Sequence, residues 1–214
     1  MPRTKLPTCD PDLKAPPELV CAVQQADVKA TRALLEKDPH LVWADHLIHW
    51  DCRVPGYQGH GGSIPAEEAK QDQRVEIIRI FLAHGADPSM RNKRKVTPLH
   101  MSSRFGLRDV AEALLEGGAD PNATDEVRET PLYRAVNLGY ADVTKVLLEH
   151  RADPNVDNRK GHTTLHRAVI RGKVAIVPLL LEHGAAVKAE DREGKTPIDY
   201  ARNKEIRAFL EGAD

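Results

Sequence analysis

No run in the 214-residue sequence approaches the roughly 18 consecutive apolar residues of a membrane-spanning helix. A helical bilayer span within it is therefore excluded. Cysteine is scarce: Cys9, Cys21 and Cys52 are too few, and odd in number, for a secreted disulfide framework. The opening residues also lack the apolar stretch of a secretory signal, and together these absences predict a cytoplasmic protein. Charge of one sign is missing as well. With 31 Lys and Arg against 32 Asp and Glu, the formal charge is −1, so the whole molecule is not a basic nucleic-acid coat, and any charge-driven role must be local. Aromatics make up only 4%, which leaves the core to Ala, Leu, Val and Ile. Signatures of phosphate-binding loops, of nucleophile-elbow hydrolases and of zinc proteases are absent, so composition and motif supply no cofactor and no resident metal.

What is present is a repeat. Thr97-Pro98-Leu99-His100, Thr130-Pro131-Leu132-Tyr133, Thr163-Thr164-Leu165-His166 and Thr196-Pro197-Ile198-Asp199 start at intervals of 33 residues. Gly106, Gly139 and Gly172 keep the same phase, as do the pairs Leu114-Leu115, Leu147-Leu148 and Leu180-Leu181. Gly85, Gly118 and Gly184 recur near the end of each unit, with Arg151 in that place once. The sequence Ala-Asp-Pro comes next at 86–88, 119–121 and 152–154.

Local chemistry accounts for the pattern. A Thr hydroxyl accepts from an orphan N–H of a first helical turn, and Pro directly after it occupies a position where a missing N–H costs little. Each Thr-Pro therefore predicts the start of a short helix, and the Gly nine residues on permits the left-handed turn that stops it. In 109–116 the apolar residues Val110, Ala113 and Leu114 recur at i, i+3 and i+4, predicting a second, amphipathic helix. Turn formers such as Asp120-Pro121-Asn122 then predict a loop or narrow hairpin. Thr164 replaces the helix-starting Pro in one unit, where Thr163 can still cap. Pro178 falls within a second helix and either bends it or confines its regular part to the residues on its C-terminal side.

The 33-residue period, the Thr-Pro-Leu-His tetrapeptide, the helix-ending Gly, the Leu-Leu pair and the tail at Gly118–Asn122 closely resemble the ankyrin repeat family. The resemblance runs over roughly residues 17–212. It implies an all-α solenoid: stacked helix-turn-helix pairs with hairpin loops, curved so that the hairpins and first helices line a concave face. On this phase residues 1–15 form a Pro-rich, disordered tail, and 16–214 form a single domain. Within it 16–42 is an N-terminal cap repeat and 43–63 an insertion. Repeats at 64–90, 91–123, 124–156 and 157–189 come next, with a C-terminal cap at 190–214. The unit at 64 keeps Pro65 but has Ile64 in the capping position, and in the last unit Phe209-Leu210 arrives four residues early. Capped at both ends, the stack is expected to be monomeric.

Two regions are candidates for function. The resemblance implies binding of a partner protein through hairpin tips and the ends of the first helices. Carried onto this chain, those positions are Lys93, Arg94, Val96, Arg104 and Phe105; Glu126, Val127, Glu129, Asn137 and Leu138; Arg159, Lys160, His162, Ile170 and Arg171. Basic residues predominate, interrupted by Glu126 and Glu129 and interleaved with Phe105, Leu138 and Ile170. This mixture suits a partner with acidic segments, with charge steering the encounter and a few apolar anchors holding it. Nucleic acid is disfavoured, because Arg91-Asn92-Lys93-Arg94-Lys95 is the one dense basic cluster; that run is also readable as a nuclear signal. His100 and His166 are expected to make internal hydrogen bonds between neighbouring loops, as the family's tetrapeptide His does.

The insertion is the second region. It gathers Trp43, Asp45, His46, His49, Trp50, Asp51, Cys52, Tyr57 and His60. Long loops of this kind in compact domains are often functional. Trp43 and Trp50 can extend a partner surface, whereas Asp45, His46, His49, Asp51 and His60 can serve as acid–base groups, the alternative being a catalytic, small-molecule or metal site. Their spacing matches no standard zinc module.

Overall fold

A computed structural model of the chain describes residues 27–38 and 68–213, together with Glu18 and Ala22. The tail at 1–15, the insertion at 43–63 with all its candidate residues, and the three cysteines lie outside the described residues. The chain forms two compact units, Met1–Asp87 and Pro88–Asp214. All regular structure among the described residues is helical.

In the second unit the repeat reads directly as helix pairs. First helices are α3 (Pro98–Phe105), α5 (Pro131–Leu138) and α7 (Thr164–Ile170); second helices are α4 (Arg108–Glu116), α6 (Ala141–Glu149) and α8 (Val177–Glu182). Thr97, Thr130 and Thr163 cap the first helices, their hydroxyls accepting from the N–H groups of His100, Tyr133 and His166. α3 and α5 end on Gly106 and Gly139, both left-handed. At Gly106 the restriction is twofold: φ is +70°, and a Cβ there would lie 2.7 Å from the Tyr140 ring.

First helices pack on first helices, α3 on α5 and α5 on α7, while α4 packs on α6 and each first helix packs on its own second helix. Leu99, Leu132 and Leu165 are completely buried between the first helices, and Leu147 and Leu180 likewise in the second row. Each such Leu contributes about 2–3 kcal/mol by leaving water, so the core is a periodic column of aliphatic contacts.

Three departures from strict repetition have local causes. Pro178 cannot donate, so 174–176 form turns and the regular part of α8 is only six residues, against nine in α4 and α6. Thr164 keeps its helix, as Thr163 predicts, but its own hydroxyl is buried without a hydrogen-bond partner. The fourth copy of the tetrapeptide, Thr196-Pro197, starts a 3₁₀ turn (Pro197–Tyr200) in place of the predicted helix. Asn203 already caps α9 (Lys204–Glu211), leaving no room for two α-turns between Thr196 and Asn203. α9 buries Ile206 and Leu210 and exposes Lys204, Glu205, Arg207 and Glu211, as a terminal repeat should.

In the first unit α1 (Val28–Lys37) is capped by Asp27 and packs on α2 (Glu68–Ala83), burying Leu35 and Ile77. α2 is one continuous helix of 16 residues where the repeat pattern predicts two short ones. Gln73 stands at the position held by Gly106, Gly139 and Gly172, and without a left-handed stop the two helices fuse.

Candidate functional site

The loops that precede the first helices are built by one side chain each. Asn92, Asp125, Asn158 and Asp191, again 33 residues apart, accept through Oδ1 from two backbone N–H groups in their own loop. For Asp125 these are Val127 and Glu129, both at 2.9 Å. Each loop also closes by two backbone bonds, for example Asp125 N–H to the Glu129 carbonyl at 3.0 Å and Arg128 N–H to the Asp125 carbonyl at 3.1 Å. The result is a narrow projecting turn, an Asx turn in every copy. Neighbouring turns join along the stack: the N–H groups of Glu126, Arg159 and Arg192 donate to the carbonyls of Arg94, Val127 and Lys160.

The tetrapeptide histidines form a second set of ties. His100 Nδ1 accepts from the Thr97 N–H at 3.2 Å, and its Nε2 donates to the Glu129 carbonyl of the next repeat at 3.0 Å. His166 repeats the arrangement with Thr163 and the Lys195 carbonyl, at 3.2 and 3.1 Å. Both are the internal bonds expected of them. The Thr hydroxyls lie 2.8 and 2.9 Å from the ring nitrogens, resembling a nucleophile–base pair. They are not one: both pairs are buried, the hydroxyls cap helices, and the far nitrogens are committed to the next repeat. Burial holds His100 neutral, lowering its pKa from 6.5 to about 4, and lowers His166 in the same direction. Tyr133 takes the His position in the middle repeat, and its hydroxyl accepts from Asn158 Nδ2 at 2.9 Å.

A third set lies beyond the second helices. Asn122 accepts from the Asp153 N–H at 2.7 Å and Asn155 from the Ala186 N–H at 2.8 Å, each stapling its turn to the following repeat. The Asx turns and these Asn staples share the 33-residue period, which is the signal that identifies them in the sequence.

The surface outside these ties carries the predicted positions. Lys93, Arg94, Arg159, Lys160 and Arg171 are exposed around the turn tips and the end of α7. Arg94 approaches Glu126 at 3.7 Å, and Arg159 donates to the Glu126 carbonyl. Arg104 is exposed, with its guanidinium 5.8 Å over the half-buried Phe105 ring. The large hydrophobic residues exposed among the described residues are Val127 (40%), Leu138 (45%) and Ile170 (37%), all at tips or ends of first helices. Phe105 is less available than the sequence suggests, and Val127 more so.

Two predicted positions turn inward. Glu129 is half-buried 4.0 Å from Arg134 Nε; Arg134 in turn pairs with the buried Asp125, and burial raises the Glu129 pKa. His162 stacks on His166 with ring centroids 5.6 Å apart, and its Nε2 lies 3.3 Å from Asp191 Oδ2. The Tyr200 hydroxyl and the N–H groups of Lys195 and Glu193 hold Asp191 down at about 2, against the effect of burial. Among the described residues no group of three or more His, Cys, Asp or Glu is placed to hold a metal ion. No helix among them is long and apolar enough to cross a membrane.

Comparison with known proteins agrees with this architecture. The family model described as ankyrin repeats (3 copies) matches residues 66–158 and 132–214. The chain is 34% identical over 80 residues, 37% of its length, to the 2-5A-dependent ribonuclease of Mus musculus, of which that match covers 9%. It is 31% identical over 88 residues, 41% of its length, to the 2-5A-dependent ribonuclease of Homo sapiens, of which the match covers 10%. The chain thus matches about a tenth of the length of these relatives.

Proposed function

Because the chain belongs to the ankyrin repeat family, whose repeats are generally protein-interaction modules, we propose that it binds a partner protein through the turn tips and the ends of its first helices. The observation that carries this reading is the placement of Val127, Leu138 and Ile170. Large aliphatic side chains left in water cost stability, and here they stand exposed at a turn tip and at the ends of two first helices. Around them stand Lys93, Arg94, Arg104, Arg159, Lys160 and Arg171, so the partner carries acidic segments beside apolar anchors. The activity named in the ribonuclease relatives is not carried over, since the match covers about a tenth of them.

Affinity capture from native lysate with identification by mass spectrometry tests the reading, using wild type beside Arg94→Glu/Arg171→Glu. The expected result is a protein retained by wild type and lost from the variant, with an unchanged helical circular-dichroism spectrum. Equal retention by both chains removes this face from the interaction. Retention of no protein removes the interaction itself.

A further inference from the structure

One point on this surface has a chemistry of its own. Asn137 lies in the last turn of α5, and α7 brings two arginines to it: Arg167 Nε donates to Asn137 Oδ1 at 2.7 Å, and Arg171 Nε donates to the same oxygen at 3.0 Å. Two guanidinium groups thus converge on one neutral acceptor. Neither makes an ion pair with a described residue. Glu129, whose carboxyl senses the charge of Arg167, stands 4.0 Å from Arg134 Nε. The Arg167 guanidinium is held 5.7 Å from the centre of the Tyr133 ring, so its orientation is set by a ring face and by Asn137 together. A third cation is near, with Lys173 Nζ donating to the Leu138 carbonyl at 3.3 Å. Leu138 and Ile170, adjacent in sequence to Asn137 and Arg171, are exposed at 45% and 37%.

Like charges collected around a neutral amide repel one another, and an arriving anion relieves that repulsion while taking the unused Nη donors. With each Nε committed to Asn137, the two forks are already oriented, so little side-chain freedom remains to be lost on binding. Among the described residues the site occurs once. Arg104-Phe105 holds the same place one repeat earlier and offers a single guanidinium over a ring.

We propose that Arg167, Arg171 and Asn137 form the docking point for one anionic side chain of the partner protein, whose neighbouring aliphatic residues rest on Leu138 and Ile170. The inference rests on the interaction-module reading and names its chemistry. The flanking groups are aliphatic rather than aromatic, which favours a peptide over single-stranded nucleic acid, whose bases need ring faces to stack on.

The test is selection from a random-peptide display library on the full chain and on Asn137→Asp, which supplies the missing carboxylate from within by exchanging the amide NH2 for a second oxygen and removes no aliphatic contact. Wild type is expected to enrich peptides with Asp or Glu next to Leu, Ile or Val. Resynthesised, such a peptide should bind Asn137→Asp and Arg171→Gln about tenfold more weakly than wild type by fluorescence anisotropy. Its Asn or Gln counterpart should lose a similar factor on wild type. Enrichment without acidic preference, or equal binding of the acidic peptide to Asn137→Asp, overturns this inference and leaves the interaction reading standing. Displacement of the peptide by a single-stranded oligonucleotide through the same two arginines overturns the peptide assignment. No enrichment by either chain overturns both.

Discussion

The inner row of the second unit and its rim share the same helices and differ in almost every other respect. Along the inner row the chemistry is copied: Leu99, Leu132 and Leu165 are buried, Asn or Asp builds every turn, and His100 and His166 tie one repeat to the next. Along the rim nothing is copied. Arg104, Asn137 and Ile170 occupy one repeat position, and Phe105, Leu138 and Arg171 occupy the next. Stability demands the same answer in each copy because every copy buries the same contact, whereas recognition is free to differ because the rim positions lie outside that buried contact.

α5 carries both rows and allows the largest test. Leu132 is completely buried and Leu138 is 45% exposed on the same eight-residue helix. Leu132→Ala is expected to cost about 3–4 kcal/mol in urea unfolding, from lost transfer energy and the cavity left behind, and Leu138→Ala less than about 0.5 kcal/mol. In a partner-binding assay the order should reverse, with Leu138→Ala the more damaging at temperatures where both chains are folded. Comparable losses of stability at the two sites would make Leu138 part of the core.

Acid should act on the inner row next. His100 titrates at 6.5 when unfolded and at about 4 when folded, so between those values the unfolded chain binds the proton and the folded chain does not. The His100 contribution is therefore full above pH 6.5, declines as pH falls, and levels off below about 4. A shift of this size is worth about 3 kcal/mol, and His166 adds a contribution of the same sign. Asp191, held near 2, begins to lose its own contribution below its unfolded value of 3.8. Unfolding midpoints measured at several pH values should show the decline, and His100→Gln should flatten it above pH 4. An undiminished slope in His100→Gln would place the proton uptake elsewhere.

The same division between row and rim decides what is legible in the sequence. The helices, their caps and the His ties are periodic, so Thr-Pro-Leu-His at 97 and its variants at 130, 163 and 196 reveal them. The fused helix α2 departs from the two short helices that the period predicts, and its one trace in the sequence is Gln73 in the column of glycines. The Asx turns and Asn staples keep the period at 92, 125, 158 and 191 and at 122 and 155, although their donors appear only in three dimensions. The Asn137 site has no period at all. It depends on residues 30 and 34 positions away being brought to one oxygen by the stacking of α5 on α7, a register that no single repeat contains. Glu129 and His162 mislead for a related reason: their places are tip positions, yet Arg134 of the same repeat draws Glu129 inward and Asp191 of the next unit draws His162 inward.

The smallest effect concerns the turn tips, where row and rim meet. One backbone position there is left-handed in all four turns, with Lys95 at φ 57° and Arg128 at φ 64° against Gly161 at 79° and Gly194 at 72°. A side chain in that conformation crowds its own carbonyl, so Lys95→Gly is expected to raise stability by about 0.5–1 kcal/mol, after the extra chain entropy of Gly is subtracted. The reverse change should be far from symmetrical. A Cβ at Gly161 would lie 2.9 Å from the Arg192 backbone nitrogen, so Gly161→Lys has to displace the next turn as well as adopt the strained φ. Thermal unfolding of the two variants therefore measures what the rim costs the row: a gain for Lys95→Gly shows that a cation is kept at this tip against stability. A loss would mean that the Lys95 side chain itself helps to hold the turn.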